Sequence, residues 1–261
     1  MTIYEQNTLQ LKSAGVIIVV LIGVLLVSGC GASERDEKGG EAKEQTMIES
    51  EANAVEQNSQ SEFPESEDDR YRVVFLGNSI TAGFGVDQEA AFPFLIQTRV
   101  DEQELPFRIV NAGLSGDTSS GGLSRIEWLL RNRVDVLVLE LGGNDGLRGI
   151  DLTLTRSNLE GILDKILEKY PECELIVAGM MVPPNLGHEY TRTFREIFPQ
   201  LARKFNAELI PFILEGVGGV PELNQPDGIH PTAEGHVIVA ETVWKYLEPV
   251  LQGLNVNQPD S

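Results

Sequence analysis

The sequence is poor in the residues from which disulfide frameworks, metal centres and nucleic-acid surfaces are built. It has two cysteines and three histidines in 261 residues, so we expect neither a disulfide scaffold nor a zinc site with several histidine or cysteine ligands. Its 20 basic residues stand against 40 acidic ones, a formal net charge of −20. Such a chain has little with which to neutralise phosphates, and we therefore exclude nucleic acid as a partner.

Long apolar runs are also scarce, and one of them lies near the N-terminus at residues 14–27. It is shorter than the roughly 20 residues of a membrane span and fits the apolar region of a signal peptide. It ends in Leu26-Val27-Ser28-Gly29-Cys30, which resembles a bacterial lipobox. The resemblance implies a signal peptide over residues 1–29, lipid on Cys30, and a membrane-anchored lipoprotein facing the periplasm or the extracellular side. The alternative, an uncleaved N-terminal anchor, would also place the remainder outside the cytoplasmic membrane.

Residues 30–70 differ in composition from the rest of the chain. Between Gly31 and Arg70 there are 13 acidic and 4 basic side chains, which contribute 4 − 13 = −9 to the net charge. A segment with so few large apolar residues cannot offset its chain entropy by burial. We predict a disordered acidic tether here, a folded domain over residues 71–252, and a polar tail over 253–261. Nothing in the sequence specifies an oligomeric state.

From Tyr71 onward, short apolar runs alternate with longer amphipathic ones. The short runs are rich in β-branched residues and apolar on both faces, as buried parallel strands are. This alternation predicts one α/β domain with a central parallel sheet, whose sites lie at the carboxyl ends of the strands. The predicted strands are 72–76, 107–111, 134–140, 175–179 and 208–212. The predicted helices are 90–103, 120–132, 153–170, 189–205 and 232–247.

Ser79 is the candidate nucleophile. It follows the apolar run 73–76 and Gly77, and the next residues are typical of a turn that enters a helix. Amide groups at a helix start favour negative charge. Taken alone, Ser79 would be interpreted as a helix cap rather than a nucleophile; the other polar segments at strand ends favour catalysis.

A serine needs a base, and His230 is the candidate. Asp227 lies three residues before it in a glycine-containing loop, where a carboxylate can fix the imidazole tautomer and leave the other ring nitrogen for Ser79. We expect His236 to be packed or exposed on the last helix and His188 to lie in a solvated loop. Cys173 precedes an apolar run and is predicted to be a packed, inert thiol.

Three donors are available for the oxyanion that forms during acyl transfer. They are the backbone N–H of Ser79, the backbone N–H of Gly116 and the side-chain amide of Asn144. Gly116 permits close approach of the backbone, and two glycines allow the chain to turn after the third strand and present Asn144.

The polar segments that contain these candidate residues resemble the four blocks of the GDSL, or SGNH, hydrolases. The Ser, Gly, Asn and His of the family name match Ser79, Gly116, Asn144 and His230, and the resemblance spans roughly residues 72–247. It is greatest to the bacterial acyl-CoA thioesterase I, lysophospholipase and arylesterase subfamily. It implies a flavodoxin-like three-layer α/β/α sandwich, Asp227 as the third member of the triad, and no cofactor.

The first block departs from the family pattern. It reads Gly77-Asn78-Ser79-Ile80 where the pattern has Gly-Asp-Ser-Leu. Asn78 keeps one acceptor oxygen and loses the charge, so we expect a local change in hydrogen bonding and retained activity.

The substrate is expected to be a small-molecule ester or lipid, and the activity an arylesterase, lysophospholipase or thioesterase type of ester hydrolysis. Four apolar side chains are the candidate lining of the acyl pocket: Leu147, Met181, Pro183 and Leu186. Ile150 and Val182 are available nearby. Within the same family an O-acetyl esterase of cell-wall or other carbohydrate is an alternative. A non-catalytic lipoprotein that binds lipid or a partner is a further alternative from another class, and nothing in the chain resembles the peptide cleft of a protease.

Overall fold

A computed structural model describes residues 69–256 of the chain. The predicted signal peptide, Cys30, the acidic tether up to residue 68, and residues 257–261 of the tail lie outside the described residues. Within residues 69–256, no helix is long and apolar enough to cross a membrane.

Five parallel strands form one sheet in the order β2-β1-β3-β4-β5. The strands are β1 (Tyr71–Gly77), β2 (Phe107–Gly113), β3 (Val136–Glu140), β4 (Glu174–Ala178) and β5 (Glu208–Ile210). β3 is buried along its whole length, and the last five residues of β1 are buried too. Strands that are covered on both faces require apolar residues at every position, which is why the sequence shows runs rather than alternation.

Seven α-helices of the described chain connect and cover the strands. They are α1 (Ser79–Ala82), α2 (Phe92–Glu102), α3 (Ser119–Leu129), α4 (Gly143–Leu147), α5 (Leu152–Lys169), α6 (His188–Phe205) and α7 (Ala233–Val256). Contacts group α2 with α7 on one face of the sheet and α3, α5 and α6 on the other. The predicted α/β fold with a central parallel sheet and helices on both faces is therefore confirmed.

Several element ends lie a few residues from the predicted ones, and two of these differences have a clear physical reason. β5 stops at Ile210 and not at Phe212, because Pro211 has no N–H to donate to the sheet. The last helix continues to Val256 and not to Leu247, so it takes in part of the predicted tail. Pro249 lies inside this helix, but the burial of Leu247 and Leu251 holds the last turns against the core.

Candidate active site

The carboxyl ends of β1 and β3 meet where the strand order changes direction. From β1 the chain moves to β2 on one side and then to β3 on the other. This is the switch point at which open α/β sheets form ligand crevices. Ser79 follows β1 and Asn144 follows β3, so two of the predicted site residues lie at this crevice.

The turn after β1 holds Ser79 at the start of α1. Asn78 caps this helix, and its Oδ1 accepts a hydrogen bond from the backbone N–H of Ile80 at 2.9 Å. Gly83 ends the helix with a φ of 73°, a left-handed conformation that favours glycine. Ser79 is 9% exposed and lies in the wall of a cavity, so the predicted nucleophile borders a space that a substrate could occupy.

Ser79, His230 and Asp227 form a continuous hydrogen-bonded chain. The Oγ of Ser79 lies 2.8 Å from Nε2 of His230, and Nδ1 of His230 lies 2.6 Å from Oδ2 of Asp227. A carboxylate can only accept, so Nδ1 carries the proton and Nε2 is left to accept from the Ser79 hydroxyl. The geometry is that of a nucleophile, a base and an orienting acid.

The loop that carries His230 is built around Asp227. Its Oδ1 accepts from the backbone N–H groups of Ile229 at 2.9 Å and His230 at 3.0 Å, and Gly228, which lies between Asp227 and Ile229, has a φ of 69°. The hydrogen bond from the His230 side chain, followed by those from the backbone, lowers the pKa of Asp227 to about 2. Asp227 therefore remains an ionised acceptor across the neutral range.

A contact with an aromatic ring also holds the imidazole of His230. The ring of Phe84 lies 4.7 Å from that of His230, tilted by 46°. Gln225 ties the two loops together, since its Nε2 donates to the carbonyl oxygens of Phe84 at 2.7 Å and Pro231 at 3.0 Å. Neither Phe84 nor Gln225 carried a signal in the sequence, because both act through loop packing.

The other predicted oxyanion donors lie on two adjoining turns. Asn144 lies in the cavity wall, at the start of α4. Its Nδ2 donates to the backbone carbonyl of Asp117 at 2.8 Å, which joins the turn after β3 to the turn after β2. Gly116 lies on the latter turn with a φ of 82°, beside the carbonyl that anchors Asn144.

The cavity beside Ser79 has a volume of about 400 Å³. Of the predicted acyl-pocket residues, Leu147, Met181 and Pro183 lie in its wall, as does Val182. Leu186 is 42% exposed and lies near Gly149 rather than in that wall, because the short 3₁₀ turn Pro184–Leu186 carries it past the cavity.

A second wall of the cavity comes from a segment that the sequence did not point to. Between β5 and His230 the chain contributes residues from the long loop that ends in the Asp227 turn: Phe212, Leu214, Gly218, Gly219, Asn224 and Ile229. Glycines and scattered apolar side chains in a loop have no periodicity that would predict a pocket. Together the two walls make the cavity predominantly apolar at one side of the candidate nucleophile.

Three residues that the sequence predicts to take no part in catalysis are Cys173, His236 and His188. Cys173 is buried, and burial raises the pKa of its thiol to about 12. His236 is fully buried against α2. His188 is exposed, as predicted, but it is the first residue of α6 and does not lie in a loop.

The fold, the switch-point crevice and this side-chain arrangement define a hydrolase of the SGNH class. Residues 75–238, more than half of the chain, match the GDSL-like Lipase/Acylhydrolase family. The protein belongs to this family and is a carboxylic ester hydrolase.

Curated relatives are esterases and thioesterases of similar length to the folded part. Esterase TesA of Pseudomonas aeruginosa is 38% identical over 69% of this chain and 89% of the relative. Thioesterase 1/protease 1/lysophospholipase L1 of Escherichia coli strain K12 is 37% identical over 69% of this chain and 84% of the relative. The resemblance to the family, expected from the four sequence blocks, is confirmed.

Solved structures agree with this assignment. The crystal structure of TesA superposes with a TM-score of 0.66 at 37% identity, over 69% of this chain and 99% of that one. The esterase EstA from Pseudoalteromonas sp., described as inhibited by monoethylphosphonate, has a TM-score of 0.66 at 28% identity, over 69% of this chain and 98% of that one.

Proposed function

We propose that this protein is a serine esterase that hydrolyses lipid or aryl esters through an acyl-enzyme on Ser79. The observation that carries the proposal is the pair of contacts joining Ser79 to His230 at 2.8 Å and His230 to Asp227 at 2.6 Å. Each of the three groups is in hydrogen-bond contact with the group that its role requires before any substrate binds.

The reaction follows from the positions of these groups. His230 Nε2 takes the proton of Ser79 Oγ as the oxygen bonds to the ester carbonyl, and ionised Asp227 stabilises the imidazolium. The backbone N–H groups of Ser79 and Gly116 and the amide of Asn144 act as donors to the oxyanion. His230 then gives its proton to the departing alcohol or thiol. Water, activated by the same histidine, releases the acid and restores Ser79.

The cavity supports acyl groups longer than acetyl as substrates. Its volume of about 400 Å³ and its apolar side chains fit a hydrocarbon chain, and Met181 has a flexible side chain that can adapt to different chain lengths. The names of the relatives, esterase and thioesterase/lysophospholipase, lie in the same class. Outside the cell, lysophospholipids and free esters are accessible whereas acyl-CoA is not, so we favour the first two.

Export as a lipoprotein is the second part of the proposal. It rests on the apolar run 14–27 followed by Ser28-Gly29-Cys30. Lipid on Cys30 would anchor the protein to a membrane, and residues 31–70 would act as an acidic spacer to the hydrolase domain. In this arrangement the enzyme works next to the surface that contains lipid esters.

Hydrolysis of p-nitrophenyl esters from acetyl to palmitoyl tests the catalytic part. We expect Ser79-dependent turnover with an optimum at medium or long chains, and loss of turnover in Ser79→Ala with retained folding. A fluorophosphonate probe should label the wild type and not Ser79→Ala, since EstA is described as inhibited by a phosphonate. An optimum at acetyl would favour the O-acetyl esterase, and undiminished turnover by Ser79→Ala would contradict the proposal. A folded wild-type protein that does not react with the probe would favour the non-catalytic lipoprotein.

A further inference from the structure

A buried carboxylate lies directly beneath the nucleophile turn, and the steps above do not use it. Glu140 is the last residue of β3, is 0% exposed, and is paired in register with Gly77 of β1. Packing around it is tight: a Cβ added to Gly77 would lie 2.6 Å from Oε2 of Glu140. A glutamate in such a place is costly unless its oxygens are satisfied.

Four donors satisfy Glu140, and all of them come from the nucleophile turn. Its Oε2 accepts from the backbone N–H of Asn78 at 3.1 Å and from the N–H and hydroxyl of Thr81 at 3.2 and 2.7 Å. Its Oε1 accepts from Nδ2 of Asn78 at 2.7 Å. The residues on both sides of Ser79 and Ile80 are therefore held by one side chain from the neighbouring strand.

The side-chain amide of Asn78 connects Glu140 to Ser79. Its Nδ2 is bound to Glu140, which orients the amide so that Oδ1 accepts from the N–H of Ile80 at 2.9 Å and lies 3.4 Å from the Ser79 hydroxyl. If the amide rotated, the start of α1 would lose its cap, and the Ser79 hydroxyl, which lies 2.8 Å from His230, would lose its contact with Asn78.

Asn78 and Glu140 match each other in hydrogen-bonding type as well as in position. Four donors converge on Glu140, which suits the ionised carboxylate because this form only accepts. Burial raises the pKa of Glu140 to about 7, and the hydrogen bonds from Thr81 and Asn78 oppose that rise, so the ionised form is present near neutral pH and predominates above it. An aspartate at position 78 would bring two carboxylate oxygens together at the 2.7 Å contact, and one of them would have to hold a proton.

We propose that Glu140 is a positioning residue for the esterase reaction, and that Asn78 replaces the aspartate of the family pattern so that an ionised Glu140 can lock the nucleophile turn. The inference rests on the proposed function, since it assigns Glu140 to the alignment of Ser79 with His230.

Other charged groups near the turn are already paired. Arg125 donates to the Gly77 carbonyl and forms an ion pair with Asp117 at 2.8 Å, and Asp227 is paired with His230 at 2.6 Å. On α4, which follows Glu140 in the chain, Asp145 is buried and accepts from Ser119 and Thr155. None of these groups bonds to the side chain of Asn78 or Glu140, so we expect the variants to act first on the Asn78–Glu140 contact and on the bonds from Thr81 to Glu140.

Three variants of the full-length protein test the proposal: Glu140→Gln, Asn78→Asp and the double variant that carries both substitutions. In Glu140→Gln an NH₂ group must face Asn78 or the Thr81 donors, and we expect kcat to fall on the order of 10- to 100-fold with KM nearly unchanged. In Asn78→Asp two carboxylates face each other, and kcat relative to wild type should fall as the pH rises and both ionise. In the double variant the new amide at position 140 can donate to the new carboxylate at position 78 and accept from Thr81, so kcat and its pH profile should return toward wild type.

Melting temperatures and fluorophosphonate labelling rates of the same four proteins separate positioning from folding. A double variant that recovers the melting temperature but not kcat would overturn the proposal, as would wild-type kcat and pH profile in Glu140→Gln. If Glu140→Gln does not fold, a flat kcat ratio between Asn78→Asp and wild type across the pH range would also overturn it. Hydrolysis by Ser79→Ala would contradict the proposed function itself, whereas an inactive Ser79→Ala beside a normal Glu140→Gln would contradict only this inference.

Discussion

Asn144 shows how one side chain can be anchored and still be available for chemistry. Its amide has two N–H bonds, and one of them is used at 2.8 Å by the carbonyl of Asp117. The second can serve the cavity that Asn144 lines. In the proposed oxyanion hole this anchor fixes the direction of the remaining donor before substrate arrives, and such preorganisation is what makes oxyanion donors effective.

Replacing Asn144 with alanine should therefore act on the transition state. We expect kcat to fall roughly 100- to 1,000-fold with a much smaller change in KM. Steady-state kinetics on the best p-nitrophenyl ester give both values. Because the substitution also frees the Asp117 carbonyl, the melting temperature serves as the control. An increase in KM alone would argue against the oxyanion role.

At the scale of single residues, the sequence predicted those whose partners are near in the chain or that belong to one of the four blocks of the family pattern. Asp227 and His230 are three residues apart, and their contact follows from a tight loop. Glu140 was missed because its partners lie 59 and 62 residues earlier in the chain. Nothing near Glu140 in the sequence distinguishes a buried acceptor from an ordinary strand end.

Among the elements, the contact between β2 and α1 sets the position of the nucleophile turn. Gly113 ends β2, and a Cβ at this position would lie 2.3 Å from the backbone nitrogen of Ala82. Asn111 of the same strand donates to the carbonyl of Thr81 at 2.9 Å. α1 thus rests directly on the backbone of β2.

Gly113→Ala should displace α1 and with it Ser79. A shift of about 1 Å can cost on the order of 100-fold in rate, and we expect lower kcat together with a lower melting temperature. Gly161→Ala is the matched control, because it lies within α5 against a methyl group of Leu123 at 3.3 Å. It should leave kcat unchanged. Equal kcat in the two variants would show that β2 does not position α1.

The packing of α7 on α2 buries a neutral histidine. His236 is 0% exposed, its ring stacks on Phe92 at 6.2 Å, and its Nδ1 accepts from the N–H of Phe92 at 3.3 Å. Within residues 69–256 its Nε2 has no hydrogen-bond partner. Burial, together with the charge of His230, lowers the pKa of His236 to about 4.

This histidine should make the folded state sensitive to acid. The unfolded chain binds the proton near pH 6.5 and the folded chain only near 4, so the free energy of unfolding falls as pH drops between these values, by about 3 kcal/mol. Glu140 has the opposite sign, since its raised pKa lowers stability as pH rises from about 4.5 to 7. Urea unfolding of His236→Phe at several pH values, compared with wild type, isolates the first effect. Identical pH dependence in both proteins would contradict the prediction.

The elements themselves were largely predictable, and their ends less so. Strands buried on both faces leave an unmistakable apolar run, and helices between them follow from the amphipathic spacing. Several predicted ends were wrong, and two of them were wrong for opposite reasons. Pro211 stops β5 by removing a donor, whereas Pro249 does not stop α7, because Leu251 is buried beyond it.

For the whole molecule, charge is concentrated in the predicted tether. Residues 31–70 carry −9 of the net −20. We propose that this segment separates the hydrolase domain from the membrane, and lipid on Cys30 is the group on which that arrangement depends.

Cys30→Ser in the native host should release the protein from the membrane. We expect wild type in the detergent phase of a Triton X-114 partition and the variant in the aqueous phase, with unchanged kcat on a soluble ester. Retention of Cys30→Ser in the detergent phase would favour the uncleaved anchor. Cys173→Ser is the matched control and should partition as wild type does.

The burial of Cys173 leaves its thiol unreactive in the folded protein. Its sulfur is buried and its thiolate is disfavoured up to a pKa of about 12, so a maleimide added to the native protein should not react with it. The chain has one other cysteine. Native labelling therefore reports whether the sulfur of Cys30 is free or capped, and labelling in denaturant adds Cys173 as an internal standard of one thiol per molecule.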